Sequence, residues 1–298
     1  MQYGTSVICA LLAAVMFAFA AVMQQESTQT VTTEKSLSPA LLLELLHRPK
    51  WVLGGGSMIT GFGLQAVALA FGPVALVQPI IVLELAFAIP FAILRRHRRA
   101  GLREWAGIVA VMVGIAIFEL LANPSGGVQN PPTIQWIESL VPVGVVAVAC
   151  VFVGSTRHGP TRAMFLGSAA GLAFGVLSVL TKAVTHLLST DVLKAFVTWQ
   201  VYVAVGVGIC ALIVSQSAYQ AGPLAYSMPF VGVLEPVVAV IIGDTVLGEA
   251  VRLAEGEFAV ELAAAAVALL GIVLLTTSQT VLSIYEEQPT ESATASFS

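Results

Sequence analysis

Long apolar stretches, separated by short polar segments, follow one another along almost the whole chain. Nine of them are about 20 residues long, the length at which an α-helix crosses the hydrocarbon core of a bilayer. Because an isolated strand leaves its backbone hydrogen bonds unsatisfied in lipid, all nine are predicted to be helices. The predicted spans are residues 4–23, 51–71, 74–94, 105–121, 136–154, 162–182, 199–218, 224–242 and 258–277. Tryptophans at or near the ends of four spans are predicted to be anchors at the membrane surface: Trp51, Trp105, Trp136 and Trp199.

The composition of the chain also indicates a membrane protein. Of the 298 residues, 57% are hydrophobic and only 10% are charged, against about 25% charged in an average soluble domain. So few charges cannot supply the polar surface of a soluble globule, and both a soluble enzyme and a disordered chain are disfavoured. No basic stretch interleaved with aromatic residues indicates a nucleic-acid partner. The three cysteines lie inside apolar runs, without the spacing of a metal site.

The basic residues predict the orientation of the chain. In a nine-span topology, ten of the 13 Lys and Arg residues fall on one side, which the positive-inside rule assigns to the cytoplasm. These ten are Lys35, Arg48, Lys50, Arg95, Arg96, Arg98, Arg99, Arg103, Arg157 and Arg162. The protein is therefore predicted to cross the cell membrane with its N-terminus outside and its C-terminus in the cytoplasm. On the cytoplasmic side, residues 38–47 are predicted to form a short amphipathic helix that lies on the membrane surface.

The two halves of the chain match at several positions. The first copy carries Gly72, Pro73, Pro79, Glu84, Glu104 and Gly114, and the second carries Gly222, Pro223, Pro229, Glu235, Glu261 and Gly271. Small residues four apart also match between the first span and the sixth: Ala10, Ala14 and Ala18 with Gly167, Gly171 and Gly175. Such stripes of small residues let helix backbones approach closely in a membrane.

These matches predict two inverted repeats. Spans one to four map onto spans six to nine, and the odd fifth span places the two copies in opposite orientations. Inverted repeats with a site between the halves are typical of secondary transporters. The predicted units are residues 1–123 for the first repeat, 124–160 for a linker and the fifth helix, 161–279 for the second repeat, and 280–298 for a disordered tail.

Parts of the second half resemble a known family. The stretch from Leu234-Glu235-Pro236 to Leu247-Gly248-Glu249 resembles the second-repeat signature of EamA-type members of the drug/metabolite transporter superfamily. Residues 62–79 are similar to the corresponding stretch of the NIPA-type magnesium transporter branch, as is the count of nine spans. The resemblance implies an all-α membrane fold and secondary transport. The chain departs from the EamA pattern in lacking a tenth span and in carrying an arginine run at residues 95–99.

Two carboxylates near the middle of spans are the main candidates for a functional site. An ionised group there costs a few kcal/mol, so Glu84 and Glu235 are expected to face a cavity, to pair, or to be protonated. Prolines interrupt both helices, and matched interrupted helices point to a binding site: Pro79 and Pro90 in the first copy, Pro229 and Pro236 in the second. The acids are expected to face each other across a central cavity.

Weaker candidates stand beside these acids. Gln78 is predicted to lie at the same cavity, and Lys182 and Gln25 occupy matching positions in the sixth and first spans. Lys182 either neutralises a carboxylate or extends to the membrane surface. Tyr202, Tyr219 and Tyr226 could also line a cavity, although aromatic belts at the membrane surface and ordinary packing are the default interpretation. The two acids could couple transport to protons, recognise a cationic substrate including Mg²⁺, or be protonated groups that only hold helices together.

The sequence therefore favours a secondary transporter of a small metabolite, drug or ion. The alternatives are a magnesium or other divalent-cation transporter, and a non-transporting membrane scaffold. No nucleotide-binding, metalloprotease or serine-hydrolase motif is present, so neither an enzyme nor a cofactor is expected. The expected partners are membrane lipid and the transported molecule, with the protein a monomer or a homodimer.

Overall fold

The structure, a computed structural model, describes residues 4–71, 77, 80–95, 97, 99–122, 131–190, 198–247 and 257–278. Within these residues the regular structure is helical throughout, without strands. The α-helices are α1 (Gly4–Thr28), α2 (Pro39–Leu45), α3 (Pro49–Phe71), α4 (Glu84–Arg95), α5 (Leu102–Ala122), α6 (Thr133–Ser155), α7 (Gly159–Thr190), α8 (Trp199–Ala221), α9 (Met228–Leu247) and α10 (Glu257–Thr276). Short 3₁₀ helices cover Thr33–Lys35 and Leu224–Tyr226.

Five stretches of helix in the described part are long and apolar enough to cross a bilayer. They are Gly4–Thr28, Thr133–Ser155, Gly159–Thr181, Trp199–Ala221 and Leu224–Leu247. Most of the surface of α6 is open to its surroundings. Only Trp136 and Gly154 of this helix are buried, and its exposed apolar side chains include Val141, Val145, Val146, Val148 and Phe152. An apolar helix with this exposure needs lipid around it. The prediction of an all-α, multi-pass membrane protein is confirmed.

Close helix packing joins α7 to α9 along a stripe of glycines. A Cβ atom at Gly167 would lie 2.8 Å from the backbone oxygen of Ser227, and one at Gly171 would lie 2.9 Å from Cα of Val231. One turn further, a Cβ at Gly175 would lie 2.6 Å from the backbone oxygen of Glu235. No side chain fits at these three positions, so the predicted small-residue stripe of the sixth span is a backbone-to-backbone contact.

The matching alanines of α1 are buried as well. Ala10 and Ala14 are fully buried, and Ala10 packs in one cluster with Ala68 of α3 and with Val77. Further along α1, Ala18 belongs to the main core with Leu85 of α4. The small side chains of α1 therefore lie between α3 and α4, where they allow close packing.

The amphipathic helix predicted for residues 38–47 is confirmed as α2. Ser38 caps it by accepting a hydrogen bond from the backbone N–H of Ala40 at 3.0 Å, and a proline occupies its first turn, where the missing N–H costs nothing. One face of α2 is buried through Leu41 and Leu45, while Leu43 and Leu46 remain exposed. Hydrogen bonds from Lys35 and Arg48 to Glu44 hold the pKa of this carboxyl below its ordinary value.

The prediction that tryptophans anchor the span ends at the membrane surface is wrong for two of the four. Trp105 is exposed, but Trp51 is only 9% exposed and Trp136 only 1%. The indole N–H of Trp51 donates to Oε1 of Gln216 at 2.9 Å, and Trp136 packs edge-on against Trp199 with ring centroids 5.7 Å apart. Both side chains are covered by the bundle, Trp51 with a hydrogen bond and Trp136 with an aromatic contact, which sequence position alone cannot reveal.

The glycine stripe makes a stability prediction. Gly171→Ala forces α7 away from α9, because a Cβ atom there overlaps the backbone of Val231. We expect a loss of about 1–3 kcal/mol, the usual cost of overpacking a tight contact, measured as a lower melting temperature in detergent. Gly206→Ala on α8 is the matched control, since a Cβ atom there meets nothing within 4 Å. Equal melting temperatures for the two variants would contradict the packing described.

Candidate functional site

Glu84 lies where a turn meets the start of a helix. Residues 82–83 form a turn, and α4 begins at Glu84 itself. Backbone hydrogen bonds of this turn run from the N–H of Leu85 to Val82 O at 3.1 Å and from the N–H of Phe87 to Leu83 O at 3.2 Å. Pro90 lies inside α4 and has no backbone N–H, so the carbonyl group one turn before it receives no helical hydrogen bond. The carboxylate thus lies at the N-terminus of a half-helix, where the helix dipole favours negative charge.

Glu235 lies within a helix that a proline weakens. Pro236 follows it inside α9 and removes the backbone hydrogen bond to Gly232. Pro229, in contrast, is the second residue of α9, where no helical partner is lost. Oε1 of Glu235 accepts a hydrogen bond from Oγ of Ser178 at 3.3 Å. Ser178 lies one turn beyond Gly175 on α7, so the close approach at the glycine brings this hydroxyl within reach.

The structure brings the two acids together. Their carboxylates are near enough to repel each other, and Tyr219 of α8 interacts electrostatically with both. The helices meet beside them, because a Cβ atom at Gly232, one turn before Glu235, would lie 3.6 Å from Leu85, the neighbour of Glu84. Each of the three side chains retains partial exposure. Two carboxylates, a phenol and a serine hydroxyl can bind a proton or a cation through oxygen.

The remaining predicted residues are distributed around this group. Gln25 is buried and its Nε2 donates to the backbone oxygen of Gly222 at 2.7 Å, which joins α1 to the turn before α9. The backbone of Lys182 lies on α7 one turn beyond Ser178, and its side chain is outside the described part of the chain. Gln78 and Pro79 also lie outside the described residues.

Ser178 is the site residue that sequence reasoning missed. It lies seven residues after Gly171 and three after Gly175, so it shares the helix face of the glycine stripe. That spacing was a usable signal for a polar group directed at the partner helix. Serine is common in membrane helices, however, and the sequence alone does not name the acid that it contacts.

A layer of hydrogen bonds lies at the end of the bundle that carries the basic residues. We call Gln24, Gln25, Gln216, Ser217 and Gln220 the amide layer. Gln216 donates to Gln24 Oε1 at 2.8 Å, Ser217 accepts from the N–H of Leu37 at 2.9 Å, and Gln220 donates to the backbone oxygen of Val31 at 2.8 Å. At the same end, Glu26 pairs with Lys50 and Arg95. Basic residues distant in sequence therefore lie on one face.

Within the described ranges, no group of three or more His, Cys, Asp or Glu side chains lies close enough together to hold a metal ion. Any cation at the acid pair would therefore be bound by two carboxylates assisted by neutral oxygen atoms. This is a weaker site than a dedicated metal cage, and it suits an ion or ligand that must also leave.

Fold and site define an all-α, multi-pass membrane protein with an acid pair between its helices. The chain is 31% identical over 257 residues to the uncharacterized protein Cgl0250/cg0304 of Corynebacterium glutamicum, a match that covers 85% of this chain and 88% of that protein. The chain belongs to the same family as this corynebacterial protein. No family model and no solved structure matches the chain.

The electrostatic interaction between the acids makes a prediction that needs no substrate. Glu84→Gln and Glu235→Gln should each raise the melting temperature at neutral pH, because each removes a carboxyl group whose charge is disfavoured by burial and by the other acid. The gain in the free energy of unfolding of the double variant should be smaller than the sum of the two single gains. The difference should be about 0.5–3 kcal/mol, the usual coupling energy between interacting groups. Glu138→Gln, an exposed residue of α6, is the control and should combine additively with either change. If the stability gains of the two single variants add up in the double variant, the two carboxylates do not interact, and the arrangement described is wrong.

Proposed function

We propose that this protein is a secondary membrane transporter of the drug/metabolite type. It moves a small metabolite, drug or ion by alternating access around a site near the middle of the membrane. The observation that carries this proposal is the convergence of Glu84 and Glu235, from two proline-bearing helices, beside Tyr219. Two carboxylates inside a membrane bundle are costly, and a scaffold has no need for them.

The partial exposure of the three side chains supports a cavity. Core residues flank the acids on their own helices, since Leu85 follows Glu84 and Val238 lies one turn after Glu235, and both are buried. Side chains that lie among buried neighbours and are still partly exposed are expected to line an internal space. A carrier needs this space for its substrate, whereas acids that only hold helices together would be fully covered.

Helix packing supports the inverted repeat. The alignment that matches Gly114 with Gly271 also matches Gly107 with Ala264. A Cβ atom at Gly107 would lie 3.0 Å from the backbone oxygen of Gly271, and one at Gly114 would lie 2.6 Å from that of Ala264. Gly107 therefore contacts Gly271, the counterpart of Gly114, and Gly114 contacts Ala264, the counterpart of Gly107. A two-fold axis produces this reciprocal pairing. In this proposal α5 and α10 cross at the axis between two repeats of four spans.

The proposed topology has nine spans, made by α1 and by α3 to α10. The salt bridges from Lys50 and Arg95 to Glu26 support it, because they place the start of α3 and the end of α4 at the same face as the end of α1. The positive-inside rule makes this face cytoplasmic and the N-terminus external. A cell-membrane location follows for such a carrier.

Transport in proteoliposomes tests the proposal. Purified protein is assayed with panels of amino acids, cationic drugs and Mg²⁺, with and without a pH gradient. Glu84→Gln and Glu235→Gln should each reduce uptake at least about 100-fold, because both carboxylates contact the cargo or coupling ion, while Glu138→Gln should leave it unchanged. Both variants should insert and purify normally.

The outcomes separate the alternatives. Uptake of Mg²⁺ alone would identify a divalent-cation carrier, which the paired carboxylates also suit. Dependence on the pH gradient would identify proton coupling. Full transport by the double variant Glu84→Gln/Glu235→Gln would refute the site, and absence of flux for every class tested would favour a scaffold.

A further inference from the structure

We infer that the amide layer is a gate, and that it closes the basic-face end of the bundle in this conformation. The inference rests on the proposed transport function, since a gate has meaning only for a carrier. Its basis is that the four hydrogen bonds given above for the layer cross from the first half of the chain to the second. Gln24 and Ser217 also donate within their own halves, to Met58 and to Ile213. Alternating access requires the crossing contacts to break whenever this end opens.

Gln216 is the centre of the gate. Its side-chain oxygen accepts from the indole N–H of Trp51 at 2.9 Å, and its nitrogen donates to Gln24 at 2.8 Å. Both partners belong to the first half, on α3 and α1, and Gln216 itself is only 1% exposed. One residue of α8 thus holds two helices of the opposite half.

A second set of contacts surrounds this centre and involves the segment before α2. Leu37 donates its backbone N–H to Ser217, and Ser36 accepts a hydrogen bond from the guanidinium of Arg162 at 2.8 Å. Leu37 has φ of 58°, a left-handed conformation that residues with a Cβ atom seldom adopt. The contacts to α7 and α8 hold the segment in this conformation, so their release would let it relax.

The chemistry of the layer suits repeated opening. Neutral amides satisfy most of one another's hydrogen bonds when the interface is closed, where only Oε1 of Gln220 in the layer is left unpaired, and water satisfies them when it opens, so opening adds no unpaired buried group. Apolar packing would instead penalise the open state through exposed surface. Only Arg162, at the edge of the layer, is charged, and no titratable side chain takes part in the central contacts.

The gate and the acid pair share a helix. Tyr219, which interacts with Glu84 and Glu235, lies on α8 between Ser217 and Gln220. A rotation or shift of α8 that follows binding at Tyr219 must therefore also change the contacts of Gln216, Ser217 and Gln220. This is the direct physical connection that a carrier needs between an occupied site and its gate.

Cysteine accessibility tests the gate without a substrate. In a variant with Cys9, Cys150 and Cys210 replaced by serine, Ser178→Cys reports access to the site. A membrane-impermeant methanethiosulfonate should label it from the face opposite the basic loops and only slowly from the basic face. Gln216→Leu should speed labelling from the basic face about fivefold, because hydrogen bonds of the closed state are lost. Gln200→Leu, on the same helix but outside the layer, should leave the rate unchanged.

A cross-link gives a second readout in case Gln216→Leu does not fold. Leu37→Cys and Ser217→Cys should form a disulfide, since the present contact places their Cα atoms within about 7 Å. Oxidation should stop labelling of Ser178→Cys from the basic face and stop any flux, and reduction should restore both. The two single-cysteine variants are the controls.

The results distinguish the gate from the transport function. Fast labelling from the basic face in the parent, or flux that continues after complete cross-linking, would overturn the gate while leaving the acid pair as a transport site. A different result is that labelling responds as expected to Gln216→Leu and to the cross-link while the protein transports none of the substrates tested. In that case the proposed transport function fails, and the amide layer is still an interface that opens and closes.

Discussion

Close backbone contact at small residues is the interaction on which this bundle depends. Lipid tails are as apolar as leucine side chains, so helices in a bilayer gain little from apolar burial and associate mainly through tight packing and hydrogen bonds. In this protein the contact of α7 with α9 leaves no room for a Cβ atom at Gly167, Gly171 or Gly175. The contact of α5 with α10 has the same character at Gly107, Gly114 and Gly271.

The polar groups take their places from that packing. Because Gly175 touches the backbone of Glu235, the hydroxyl of Ser178 reaches the carboxylate one turn away. Leu85 packs beside Gly232, so the N-terminus of α4 lies next to α9 and brings Glu84 toward its counterpart. The positions of the two acids in the fold therefore depend on the glycine contacts between helices as well as on the carboxylates themselves.

Charged and neutral polar groups have different positions in this molecule. The carboxylates lie in the interior, where their charge can bind a proton or a cation. The neutral amides lie nearer one end, where they join the two halves without the cost of buried charge. Among the described residues, the salt bridges lie at the surface of that end, where Glu26 and Glu44 meet basic residues and the solvent weakens each pair.

The sequence by itself determined the class of protein and the positions of its helices, because the length of an apolar stretch and the backbone's need for hydrogen bonds in lipid are local properties. It also identified Glu84 and Glu235 as unusual, since a carboxylate within an apolar span is costly wherever the helix lies. The partners of these acids, Ser178 and Tyr219, and the roles of Trp51 and Gln216 were decided only by the tertiary structure. Serine, tyrosine, tryptophan and glutamine are all tolerated at membrane interfaces, so their types do not reveal whether they face lipid or another helix. That choice depends on which helices touch and at what rotation, a property of the packed bundle that no single span contains.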